Sequence, residues 1–106
     1  MSSAIRLLPS KIALITGGTT GIGRAIALGY VAHGARVAVN HLDGAGGHEQ
    51  FQSMVEEARE RTGVTDALIS VPGDVSKQSD AESMVKKTVE KWGRLDVFVS
   101  LSLIHI

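Results

Sequence analysis

Cysteine is absent from the 106-residue chain. Disulfides and thiolate metal sites are therefore excluded, and the composition fits a reducing compartment. An excess of either charge is also missing, since eleven Lys and Arg balance eleven Asp and Glu. No basic footprint for nucleic acid or an anionic membrane exists, and the charges are interspersed rather than gathered in a tail. Long hydrophobic runs are lacking too. The longest, Ala25 to Ala32, falls far short of the roughly 20 residues that cross a bilayer. Met1 to Pro9 carries one Arg and the pair Leu7-Leu8, too little for the core of a signal peptide. A soluble cytoplasmic protein with no nucleic-acid or membrane partner is the expectation.

The 43% hydrophobic and 21% charged residues are ordinary for a globular domain and do not suggest disorder. Apolar runs alternate with amphipathic stretches. Ile12-Ala13-Leu14-Ile15 is continuous and β-branched at both ends, as in a strand covered on both faces. Gly21 to His33 reads as a helix ended by Gly34, and Arg36 to Asn40 as the second strand. Phe51, Met54, Val55 and Ala58 form the i, i+3, i+4, i+7 stripe of a second helix that stops at Gly63. Ala67 to Val71 is a third strand, closed by Pro72-Gly73. Asp80 then offers an N-cap for a third helix, with Ala81, Met84, Val85, Thr88, Val89 and Trp92 on one face. Leu95 to Val99 is the fourth strand. Strands alternating with helices predict right-handed crossovers and a parallel sheet, an α/β doubly wound Rossmann-type layout with strand order 3-2-1-4.

Between the first strand and helix lies Thr16-Gly17-Gly18-Thr19-Thr20-Gly21-Ile22-Gly23. A glycine-rich turn feeding a helix start suits a phosphate, because the backbone comes close to the ligand and free N–H groups face the anion. Gly17, Gly21 and Gly23 give G-x-x-x-G-x-G rather than the commoner G-x-G-x-x-G. Arg24-Ala25 stands where a P-loop needs Lys and Ser or Thr, which argues against an NTPase. His33, His48 and His105 show no pairing that suggests a metal site, and the first two are expected at the solvated surface.

The T-G-x-x-x-G-I-G pattern resembles the short-chain dehydrogenase/reductase family. Gly73-Asp74-Val75-Ser76 after the third strand and Gly93-Arg94-Leu95-Asp96-Val97 into the fourth agree with it. The resemblance implies a nicotinamide dinucleotide, NAD or NADP. Gly17, Thr19, Gly21, Ile22 and Gly23 would then line the pyrophosphate, and Asp74 and Val75 would hold the adenine. The plainer reading of Asp74 is a local turn cap, since an Asp after Gly in a turn often serves as one. His41 occupies the position at the end of the second strand where many relatives carry an acid for the ribose hydroxyl. Leu42 follows it, and Asp43 is close enough to contribute. A neutral imidazole can serve a hydroxyl and a protonated one a phosphate, which leans toward NAD without excluding NADP. The other reading of His41 is an exposed loop residue.

Val39-Asn40-His41-Leu42, Val97-Phe98-Val99-Ser100, Pro72-Gly73-Asp74 and the stretch Thr20 to Ala27 resemble, more narrowly, the fungal L-rhamnose 1-dehydrogenases. That group oxidises a sugar at C1 to the lactone. A cytoplasmic, homo-oligomeric enzyme acting on a small molecule is implied for the parent. A 3-oxoacyl-thioester or other carbonyl reductase is the alternative within the family, and a non-catalytic dinucleotide-binding fragment the alternative outside it. No catalytic residue is assigned here. The family's general acid/base is a Tyr with a Lys four residues on, whereas Tyr30, the one tyrosine, precedes Gly34 by that interval. The family's Asn-Ala-Gly is replaced by Leu101-Ser102-Leu103. Leu-Ser-Leu-Ile-His-Ile also resembles one reading frame of a transposase-type sequencing adapter (ctg tct ctt ata cac atc). Residues 1–100 are therefore expected to be the N-terminal part of a Rossmann domain, residues 101–106 a non-native tail, and the chain alone inactive.

Overall fold

The computed structural model describes residues 10–42 and 46–101. Asp43 and the expected tail from Ser102 onward lie outside them. Strands β1 (Ile12–Ile15), β2 (Arg36–Val39), β3 (Leu68–Ser70) and β4 (Val97–Val99) form one sheet in the order β3-β2-β1-β4. Every pairing is parallel, with Leu14 opposite Ala38 and Phe98, and Ala38 opposite Ile69. Helices α1 (Gly21–Ala32), α2 (Gly47–Thr62) and α3 (Gln78–Trp92) make the crossovers. This is the Rossmann-type arrangement that the alternation of apolar runs predicts.

The twofold alternation of strand side chains divides the core into two layers. Ala13, Ile15, Val37 and Val39 point to one face and pack with Ala27, Leu28 and Val31 of α1 and with Phe51, Met54 and Ala58 of α2. Leu14 and Ala38 point to the other face, where Met84 of α3 and Val71 meet them. The stripes on α1 and α2 thus cover one face of the sheet, while α3 alone covers the other. Tyr30 is half-buried against the larger layer, as a core aromatic.

Two local expectations change. Asp80 does not cap α3, which begins two residues earlier with Lys77 as its N-cap. The Asp80 carboxylate instead accepts the backbone N–H of Asp74 at 2.9 Å, fastening the preceding loop. His33 is half-buried at the end of α1, its Nδ1 enclosed without a partner among the described residues, and not a freely solvated surface group. His48 is exposed as expected. No helix among the described residues is long and apolar enough to cross a membrane.

Candidate functional site

The C-terminal ends of β1, β2 and β3 lie side by side, and three loops emerge there. The first is the glycine-rich turn. Gly17 and Gly21 adopt φ of +61° and +56°, a left-handed region costly for residues with a side chain. A Cβ at either position would meet nothing within 4 Å, so the space above the turn is open. Gly23 is the opposite case. A Cβ there would lie 2.9 Å from the carbonyl carbon of Gly17 and 3.0 Å from Gly18 Cα, so the start of α1 rests directly on the turn.

That helix start is bare. Thr20, its N-cap, makes no side-chain capping bond, and no acidic residue stands in the first turn. The first-turn N–H groups have no helical carbonyl to bond, and the helix dipole makes this end partly positive. Ile22 is 65% exposed beside them, an apolar side chain left mostly uncovered. Open space, unspent donors and an uncovered apolar side chain together fit an anionic ligand with a flat apolar part.

The Thr19 side chain does not face this space. It is buried, and its hydroxyl donates to Gln50 Oε1 on α2 at 3.2 Å. Any part Thr19 takes in lining the open space falls to its backbone. Arg24 is committed in the same way. Its guanidinium donates to Glu57 Oε1 at 2.8 Å, to Ser53 Oγ at 3.0 Å and to the Gln50 carbonyl at 3.4 Å, clasping α1 to α2. The hydrogen bond from Arg24 holds the Glu57 carboxyl below its ordinary value, and the charges of Arg61 and Arg24 add to this.

The second loop follows β3. Asp74 lines a groove of about 430 Å³ together with Leu42, Lys77, Asp80, Ser83 and Lys87. Its Oδ1 accepts the Ser76 hydroxyl at 2.6 Å and the Ser76 N–H at 2.9 Å. These two bonds, hydroxyl first, with Lys77 nearby, keep the carboxyl ionised below the usual range. Asp74 is thus a turn cap, and it also borders open space. Val75 is half-buried against the smaller core layer.

The third loop begins at His41, which is only 7% exposed. Its Nδ1 lies 3.0 Å from the Leu42 carbonyl and its Nε2 2.8 Å from Ser70 Oγ. A carbonyl can only accept, so Nδ1 carries a hydrogen directed at Leu42, while Nε2 shares a hydrogen bond with the Ser70 hydroxyl. The ring is covered by Gly47 at the start of α2, where any side chain would strike it. His41 is therefore not an exposed loop residue, and both ring nitrogens have partners within the protein. Leu42 turns outward instead, at 62% exposure.

Two buried polar residues join these loops and escape the motif. Thr16, fully buried, accepts the Leu101 N–H through Oγ1 at 2.7 Å, tying the end of β1 to the residues after β4. Asn40, 4% exposed, joins the turn to the β3 loop. The one signal for Asn40 was a short polar amide directly after the apolar run Val37-Ala38-Val39. Among the described residues, no group of three or more His, Cys, Asp or Glu gathers to hold a metal.

A sequence profile for the short chain dehydrogenase family matches residues 11–101. The chain belongs to the short-chain dehydrogenase family. The match takes in the glycine-rich turn, the Gly73-Asp74 loop and all four strands. Within the family, the chain is 43% identical over 94 residues to the L-rhamnose-1-dehydrogenase of Scheffersomyces stipitis, which covers 89% of the chain and 35% of that enzyme. It is 40% identical over 96 residues to the L-rhamnose 1-dehydrogenase (NAD(P)(+)) of a Sphingomonas species, covering 91% of the chain and 35% of that enzyme. The crystal structure of a hydroxysteroid dehydrogenase from Escherichia coli superposes with a TM-score of 0.75 at 25% identity, over 88% of the chain and 37% of that structure. The chain thus spans about a third of the length of the short-chain dehydrogenases it matches.

Proposed function

We propose that this chain forms the nucleotide-binding half of an NAD(P)-dependent dehydrogenase that oxidises a sugar such as L-rhamnose at C1 to the lactone. The observation that carries the binding half is the bare start of α1 above Gly17 and Gly21. The residues fit the cofactor: the backbone from Gly17 to Gly23 would hold the pyrophosphate, Ile22 would supply apolar contact, and the loop of Asp74 and Val75 would take the adenine. Supporting the sugar is the identity to two L-rhamnose dehydrogenases, at 43% and 40%.

A bound nicotinamide would supply the hydride acceptor for oxidation at C1 of the sugar. In this reading the described residues of the site bind and orient, and none of them is assigned the hydroxyl proton. Tyr30 is packed against the core behind the sheet and has Gly34, not Lys, four residues on. The reading therefore places the acid/base groups beyond these residues and leaves the isolated chain inactive. A cytoplasmic, homo-oligomeric enzyme belongs to the same reading.

His41 bears on cofactor choice. Its ring is turned inward, so no carboxylate from this position repels a 2′-phosphate or bonds a 2′-hydroxyl. Use of both NAD and NADP follows. The test is an assay of the enzyme containing this segment, with L-rhamnose and other aldoses, following the reduction of NAD and of NADP. Turnover of L-rhamnose to the lactone with both cofactors is expected. Activity confined to 3-oxoacyl thioesters or other carbonyl compounds would overturn the sugar reading and leave the family assignment standing.

A further inference from the structure

The side chain of Asn40 sits where the three site strands end. Its Oδ1 accepts the Gly17 N–H at 3.4 Å. Its Nδ2 donates to the carbonyls of Val71 and Gly73, each at 3.1 Å, with the His41 carbonyl further off at 3.4 Å. One amide thus joins the turn after β1 to the loop after β3, across the end of its own strand. Its orientation is fixed by chemistry, since the two carbonyls accept only from the NH₂ and the N–H donates only to the oxygen.

No other side chain of this length does the same. Asp would set a carboxylate oxygen against those carbonyls, and Ala would leave the Gly17 N–H and both carbonyls to find other partners. The backbone bonds around it are independent. Gly18 N–H to the Asn40 carbonyl (3.0 Å), Gly73 N–H to the His41 carbonyl (2.9 Å) and Val71 N–H to the Val39 carbonyl (2.9 Å) do not need the side chain. Altering the amide therefore loosens the relation between the loops while the sheet keeps its ladder.

We propose that Asn40 is a positioning residue that couples the two halves of the dinucleotide site. It fixes the distance between the glycine turn and the Gly73-Asp74 loop before any ligand arrives. This rests on the nucleotide reading above. A ligand that spans both loops gains from the fixed distance, because it need not order them itself. A ligand that touches only one loop gains nothing.

The experiment compares NADH, which spans both loops, with adenosine, which reaches only the second, against wild type and Asn40→Asp. Affinities come from fluorescence for NADH and from NMR titration for adenosine, with circular dichroism to check the fold. Asn40→Asp is expected to weaken NADH about tenfold or more, two donors being lost, while adenosine stays within about twofold. Equal weakening of both ligands makes Asn40 merely structural and overturns the proposal, as does NADH binding that does not change. If wild type binds no NADH, the nucleotide reading itself fails and the coupling with it. Asn40→Ser, which keeps one donor, is the second variant and is expected to fall between the two. Should both variants fail to fold, Asn40 is a stability residue and the proposal is wrong.

Discussion

Leu14 and Phe98 stand side by side on one face of the sheet, yet Leu14 is fully buried and Phe98 is 45% exposed. The same contrast runs through the molecule. β1 and β2 are buried almost throughout, with α1 and α2 on one face and α3 on the other, whereas β3 is half-buried and β4 more open. On α3 the inner residues Met84 and Thr88 are enclosed, but Val89, one position on, is 38% exposed. The candidate site lies at the end of the well-packed region. Buried polar groups such as Asn40 and Thr16 can hold loops there because tight packing leaves them one geometry. The open side shows the same alternation of residues without the cover that would fix them.

The sharpest way to break the comparison is Gly23→Val, which drives a side chain into the backbone of Gly17 and Gly18. A loss of roughly 3 kcal/mol or more is expected, as for other overpacked cores, together with loss of nucleotide binding. Urea denaturation followed by circular dichroism measures it. Next is Met54→Ala, which removes a fully buried side chain from the larger core layer. About 3 kcal/mol should be lost. A loss below about 1 kcal/mol would mean that α2 is not held as described.

The edge between the two regions can be tested by pH. Asp96 Oδ2 accepts the Ile12 N–H at 2.9 Å and the Arg94 guanidinium, pinning the start of β1 beside β4. The Ile12 bond first, and Arg94 next, hold its carboxyl below the ordinary value. A depressed folded-state value stabilises the fold above the unfolded value of about 4. That contribution is lost as pH falls through the lower folded value. Between about pH 5 and about pH 2.5, the urea midpoint of wild type should therefore fall more than that of Asp96→Asn. Parallel curves would show that the contact contributes nothing. The smallest effect belongs to the open side. Phe98→Ser should change stability by about 0.5 kcal/mol or less, the range of exposed substitutions. A core-sized loss would erase the contrast.

Most of the fold was legible because its signals are local. Ile12 to Ile15 is a continuous apolar strand, and Gly63 and Gly93 each end a helix with positive φ, as their positions suggest. The glycine spacing located the turn, since only glycine tolerates both its left-handed residues and the close approach of α1. Side-chain direction was not legible. Thr19 and His41 lie in the loops at the strand ends but turn inward, because Gln50 and Ser70, distant in sequence, offer them buried partners. Asp80 went astray for a related reason, as the Asp74 N–H competes for its carboxylate. Asn40 was overlooked because its importance comes from three loops meeting, a fact of topology rather than spacing.

The central claim is that the C-terminal ends of β1, β2 and β3, and not the open face of α3 and β4, bind a nicotinamide dinucleotide. Titrating NADH into isotope-labelled protein while following backbone amide signals tests it directly. Saturable shifts gathered at Gly17 to Gly23 and at Gly73 to Val75, with Val89 and Phe98 unmoved, are the expected result. Folded protein whose signals do not move, or whose shifts gather on α3 and β4 instead, would contradict it.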